Sequence, residues 1–276
     1  MRKITILTAI LLISCFSVVH SQTYNYTETE LEQKCDSILQ EGNLLYRYEK
    51  AAWIFSDMYM NKPEIMGNAA TYLTYEKGDS IKCILIDKEK KCNFEVSFVE
   101  TSTPCLVRHI YRDLSNYENN LLETRTKILR NLVDNKYDLV TYDGYSLNWI
   151  LLPFEEGYKF YAINGTQKAG EVPIGNDYLF ITNKEGEIQS WKKFHSRLIP
   201  IDKGEPGGKH IHSHLRQEPF ISATDICTFK LYQNQVGLTS FGVYSPSLDT
   251  FFVYQLETNS ITISKDPNDL QKHIQQ

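Results

Sequence analysis

None of the six cysteines forms a C-x-x-C pair, so the usual spacing of a cysteine-ligated metal site or a dithiol redox motif is missing. Basic clusters are missing too. With a formal charge of −5 and only short Lys/Arg runs, the chain lacks the cationic surface that nucleic-acid binding draws on. After the amino-terminal segment, no apolar run approaches the roughly 20 residues of a membrane-spanning helix. Internal repeats and low-complexity segments are also absent. Gly204-Glu205-Pro206-Gly207-Gly208 has no G-K-S/T ending, which excludes a phosphate loop and leaves a turn between strands or a mobile lid. What is present suits a globular protein: 276 residues, 42% hydrophobic and 23% charged, are enough for a packed core. The 18 tyrosines read first as sheet residues, with carbohydrate binding the lesser alternative.

The first residues have the order of a secretory signal peptide. Met1-Arg2-Lys3 precedes the apolar run Ile4 to Ile13, and Val19 and Ser21 stand at −3 and −1 of a cleavage site before Gln22. The expected location is therefore periplasmic or extracellular. Leu12-Ile13-Ser14-Cys15 offers a second reading, a lipoprotein anchored at Cys15, although apolar residues continue beyond it. An exported chain can oxidise its cysteines. Cys83 and Cys92 flank a hairpin-like segment and could pair, while the odd number remaining (Cys35, Cys83, Cys92, Cys105, Cys227) leaves at least one free thiol.

Periodicity divides the remainder in two. From Gln22 to about Tyr145, helical spacing at Leu31–Leu39 and at Leu44–Phe55 predicts amino-terminal helices. Three strand-like stretches follow, Ala70–Tyr75, Ile81–Ile86 and Asn93–Val99, forming an antiparallel meander. The apolar positions from Val107 to Val133 read as one long helix. From residue 146 to 266, strands are expected at Tyr158–Ile163, Asp177–Thr182 and Glu187–Ile199, with turns at Asn164-Gly165 and Lys184-Glu185-Gly186. A helix over Asp225–Tyr232 and two more strands complete this part, and the tail 267–276 is polar. The fold class expected is α+β with two domains, 22–145 and 146–266.

Chemistry concentrates in the second part. Gly208–Leu215 reads as a strand, which places His212 and His214 on one face about 7 Å apart along the backbone. Asp225, eleven residues after His214, can supply a third metal ligand if the chain turns near Pro219. Two histidines and a carboxylate form a ligand set of zinc hydrolases, in which the metal acidifies its water and polarises a carbonyl. Ser222-x-x-Asp225 has a plainer reading as well, a capped helix start. His195 could be a surface residue, an extra ligand or a substrate contact.

His212-Ser213-His214 with Ser222-Ala223-Thr224-Asp225 resembles the motif of the JAMM (MPN-plus) metallopeptidases, although Leu215 stands where that family usually has proline. The resemblance spans about Trp149 to Ile263 and implies a JAMM-like mixed sheet with flanking helices. It further implies zinc on His212, His214 and Asp225, Ser222 beside an oxyanion, and an upstream glutamate acting as general base. Glu156 is the first candidate for that base, with Glu155 and Glu171 as alternatives. The activity implied is hydrolysis of an amide or isopeptide bond in a peptide or protein. The alternative is a JAMM-like fold without turnover that binds or supports a partner.

Overall fold

The computed structural model describes residues 25–99, 103–133, 137–202 and 210–266. The expected signal peptide, Cys15, the glycine-rich stretch and the tail after residue 266 lie outside the described residues. The fold is α+β, with the amino-terminal helix followed by a meander as expected.

Helix α1 (Glu28–Met60) is a single 33-residue helix where two apolar sets suggested separate ones. Thr27 and Glu30 form a capping box at its start, satisfying backbone donors that the first turn leaves without partners. A short turn, α2 (Pro63–Met66), leads into the antiparallel meander β1 (Ala69–Lys77), β2 (Ser80–Asp87), β3 (Lys91–Phe98) and β4 (Pro104–Asp113). The meander has a fourth strand because the residues around Val107 and Tyr111 belong to β4, not to the start of a helix. β4 is a largely exposed edge strand, so its apolar residues do not mark a buried face and their helix-like spacing carries no information. The helix α3 (Asn116–Val133) begins only afterwards, burying Leu121, Ile128 and Leu132.

A second antiparallel sheet is formed by β5 (Tyr145–Phe154), β6 (Gly157–Thr166), β8 (Tyr178–Asn183) and β9 (Ile188–Lys193). Between them β7 (Glu171–Gly175) pairs with β10 (Leu198–Asp202) as a separate ribbon. Glu171 therefore starts a strand, not a loop, and the stretch expected as one strand over Glu187–Ile199 is broken in two around His195. The chain ends in a mixed sheet: β11 (Ile211–Ser213) runs parallel to β12 (Ser240–Ser245), and β13 (Thr250–Gln255) and β14 (Ser260–Ser264) add antiparallel. The helix α4 (Ala223–Val236) connects β11 to β12 and ends at Gly237, whose positive φ suits the left-handed cap.

The boundary drawn at residue 145 does not divide the core. One apolar cluster joins α1 (Leu45, Phe55), the meander (Cys83, Phe94), β6 (Tyr161), α4 (Ile226, Phe229) and β13 (Phe252). Helix α1 reaches α4 so closely at Gly42 that a Cβ there would lie 2.8 Å from the Ile226 side chain. A second cluster packs α3 between the other faces of the two antiparallel sheets. Cys83 belongs to the first cluster and Cys92 to the second, because a bulge between Cys92 and Phe94 turns Cys92 to the opposite face. They are not bonded, and the five described cysteines are all free thiols. Among the described residues no helix is long and apolar enough to cross a membrane.

Candidate metal centre

Four buried side chains converge where three chain segments meet: His195 from the β9–β10 connection, His212 and His214 from β11 and the residue after it, and Asp225 from the first turn of α4. Pairing with β12 at Val243 sets the position of His212, and the backbone N–H of His214 donates to the Tyr244 carbonyl at 3.1 Å. Alternation along this short strand puts both imidazoles on one face. Asp225 is held by a capping box. Its backbone N–H donates to Ser222 Oγ at 3.0 Å, while Oδ2 accepts from the Ser222 backbone N–H at 3.0 Å and from its hydroxyl at 2.8 Å. The plain capping role of S-x-x-D and its place in a site thus coexist: Oδ2 accepts from the cap and also faces His214, while Oδ1 faces His195 and His212.

The geometry at the meeting point is tight. His195 Nε2 lies 3.2 Å from His212 Nε2 and 3.3 Å from Asp225 Oδ1. His212 Nε2 lies 3.5 Å from Oδ1, and His214 Nε2 lies 3.0 Å from Oδ2. All four donor atoms lie within 4.8 Å of one another. Buried polar atoms ordinarily find hydrogen-bond partners, yet Asp225 Oδ1 and His214 Nε2 make no hydrogen bond. For bonds of 2.0–2.1 Å, the edge of a tetrahedron is about 3.3 Å. The observed separations are those that a small cation imposes on its ligands, and the group could hold a metal ion.

His195 was the residue least clear from sequence. It is 2% exposed, and its Nδ1 lies 2.7 Å from Asp177 Oδ1, which fixes a proton on Nδ1 and turns the Nε2 lone pair into the cluster. Asp177 precedes β8 and accepts in turn from the Thr224 hydroxyl on α4. Neither Asp177 nor Thr224 is marked by any motif, and only the alignment of β7–β8 against the β9–β10 connection brings them in.

Burial lowers the His195 pKa, but the nearby Asp177 and Asp225 carboxylates outweigh it and push the ring up to about 9. The field that holds a proton there equally favours a metal cation. Burial would raise the Asp225 carboxyl, yet the surrounding imidazoles hold it well below the usual carboxylate range. Burial pushes His212 down, and pushes the neighbouring His210 down to about 4. His210 stays outside the four-residue group.

The glutamates expected as general base are not at the centre. Glu155 and Glu156 are exposed in the β5–β6 turn, next to Gly157, which pairs with Asn183. The cluster adjoins the other end of these strands, where Tyr178 pairs with Ala162, so Glu156 stands roughly 20 Å away at ordinary strand rise. Glu171 starts β7, at the end away from Gly175 and the turn that leads to Asp177, and its carboxylate accepts from the Tyr145 hydroxyl. The structure brings together His212, His214, Ser222 and Asp225, adds His195 and Asp177, and leaves out all three glutamates.

No family model matches the chain, and no curated protein or solved structure matches it either. The likeness to JAMM peptidases therefore rests on the motif residues alone.

Proposed function

We propose that His195, His212, His214 and Asp225 hold one zinc ion in a four-ligand centre that ties the β9–β10 connection and β11 to α4 in an exported protein. The carrying observation is the set of 3.0–3.5 Å separations among the four side chains, with Asp225 Oδ1 and His214 Nε2 otherwise without hydrogen bonds. Three imidazoles and one carboxylate suit zinc among the abundant divalent ions, whereas magnesium and calcium prefer oxygen shells. Four protein ligands mark structural zinc sites; catalytic sites keep one position open.

A second reading retains amide or isopeptide hydrolysis of a peptide or protein substrate. The spacing of the H-S-H and S-x-x-D residues, with Ser222 beside Asp225, favours it. Zinc would then activate water and polarise the scissile carbonyl. In that reading His212, His214 and Asp225 suffice as ligands, and His195, backed by Asp177, takes the base role that Glu156 is placed too far away to fill. The 3.2 Å approach of His195 to His212 favours the four-ligand form, because a base acting through water stands farther from the other ligands.

One experiment separates the two. Metal content of the purified protein, measured by mass spectrometry, is expected to be about one zinc per chain and to be lost in His195→Ala as well as in His214→Ala and Asp225→Ala. Zinc retained in His195→Ala would reject the four-ligand centre and favour the hydrolytic set. Absence of metal in the wild-type protein, even after added zinc, rejects both.

A further inference from the structure

A groove of about 780 Å³ opens between α1, the β5–β6 edge and the second half of α4, away from the histidine cluster. Glu49 lies at its inner wall and is 4% exposed. Its carboxylate accepts from Asn148 Nδ2 at 3.1 Å and from Trp53, both neutral donors. Among the described residues it forms no ion pair. The cationic groups beside the groove's rings and rim make other contacts: Lys50 stands 5.7 Å from the Trp53 ring centroid. Arg125 lies 5.8 Å from the Tyr72 ring centroid and bonds to Thr71 Oγ1 and the Tyr72 carbonyl. Lys168, at the rim, stands over the Tyr145 ring at 4.2 Å.

A buried carboxylate without a cation is costly, by several kcal/mol when ionised, and such groups are ordinarily paired or neutralised. Burial accordingly pushes the Glu49 carboxyl up to about 7. Accepting two neutral hydrogen bonds is a task that an uncharged glutamine would perform without this cost. The cavity on the other side of Glu49, which Arg125 also lines, is only about 20 Å³, room for a single water, so space for an organic counter-charge is in the groove. There the rings of Trp53, Tyr72 and Tyr232 are among the lining groups, and aromatic faces attract cations. A groove of this volume accommodates a small organic ligand.

We infer that the groove is a second site, binding an organic cation, an ammonium or guanidinium carried on an apolar chain, whose charge pairs with Glu49 and whose stem lies against Trp53, Tyr72 and Tyr232. The site is independent of the metal centre. Its occupancy supplies the positive charge that the chain itself withholds from Glu49.

Isothermal titration of the zinc-loaded protein with 1,5-diaminopentane tests this, with 1,5-pentanediol as the neutral counterpart. The diamine is expected to bind and the diol not, with affinity falling at least tenfold in Glu49→Gln and in Trp53→Ala. Thermal melting of each variant checks that it is folded. Equal affinity for diamine and diol in wild type, no binding of the diamine at millimolar concentration, or undiminished binding in folded Glu49→Gln would overturn the assignment. The wild-type comparison decides the matter even if a variant fails to fold.

Discussion

Two buried charged clusters among the described residues differ in how their charges are met, and the contrast shows which kind of cluster points to a ligand. On the meander, Glu95 lies 3.0 Å from Lys82 and 2.9 Å from Arg112, and also pairs with Arg108. Glu118 on α3 takes 2.7 and 2.8 Å hydrogen bonds from Arg112, 2.6 Å from the Tyr75 hydroxyl and 2.7 Å from the Ser115 backbone. Two carboxylates meet three cations, so each carboxylate has positive charge from the chain itself beside it. At the other cluster, three imidazoles and a carboxylate aim lone pairs at a common point, with Asp225 Oδ1 and His214 Nε2 left without hydrogen bonds. Buried charge alone does not imply a site. An imbalance of acceptors over donors does, because something outside the chain must supply the positive charge.

Removing the metal should break that contrast most severely. Chelation, or His214→Ala, is expected to destabilise the protein by about 4 kcal/mol when free zinc would otherwise exceed its Kd a thousandfold, measured by urea unfolding with and without zinc. Zinc should have no stabilising effect on the His214→Ala variant. Breaking the internally paired network comes next. Glu95→Gln removes the carboxylate beside Lys82 and Arg108 and leaves Arg112 with Glu118 alone, and should cost about 3 kcal/mol while zinc content stays at the wild-type level.

That network also predicts an acid response. Burial raises the Glu118 pKa, but hydrogen bonds from Arg112, Tyr75 and Ser115 outweigh it, so the carboxyl titrates below its ordinary 4.5. A depressed folded-state pKa contributes stability that is full above 4.5 and is lost as pH falls below it. In zinc-free protein, Glu118→Gln should flatten the decline in stability below pH 4.5; an unchanged slope would contradict the pairing.

Smaller effects refine the metal side. Asp177→Asn leaves all four ligands in place but removes the carboxylate that orients His195, and zinc affinity measured by competition with a chelating dye should fall 10- to 100-fold. Ser222→Ala removes a hydroxyl from the cap and should cost about 1 kcal/mol with zinc retained. If Ser222→Ala lost zinc altogether, the cap would have to be assigned a larger part in holding Asp225 than its hydrogen bonds suggest.

Much of the architecture was readable from local pattern. The meander strands, α4 with its capped start, and the paired strands after it follow from periodicity and turn residues, which act over a few positions. The reading failed where burial decides the meaning of a pattern. Val107, Ile110 and Tyr111 have helical spacing, yet they lie on an edge strand whose side chains are largely exposed. The position of Glu171 was equally unreadable, since β7 exists only by pairing with β10, nearly 30 residues later.

The sequence by itself put His212 and His214 on one face, through a strand period of two, and Asp225 in a capped first turn, through a capping box; their meeting needed the chain to fold back. Only the tertiary structure decided that His195 joins them, that Asp177 orients it and that Glu156 stays away. Those outcomes depend on which strand ends the sheets bring to α4, across 17 residues from His195 to His212 and 47 from Asp177 to Thr224. No local spacing encodes such distances; packing of the shared core sets them.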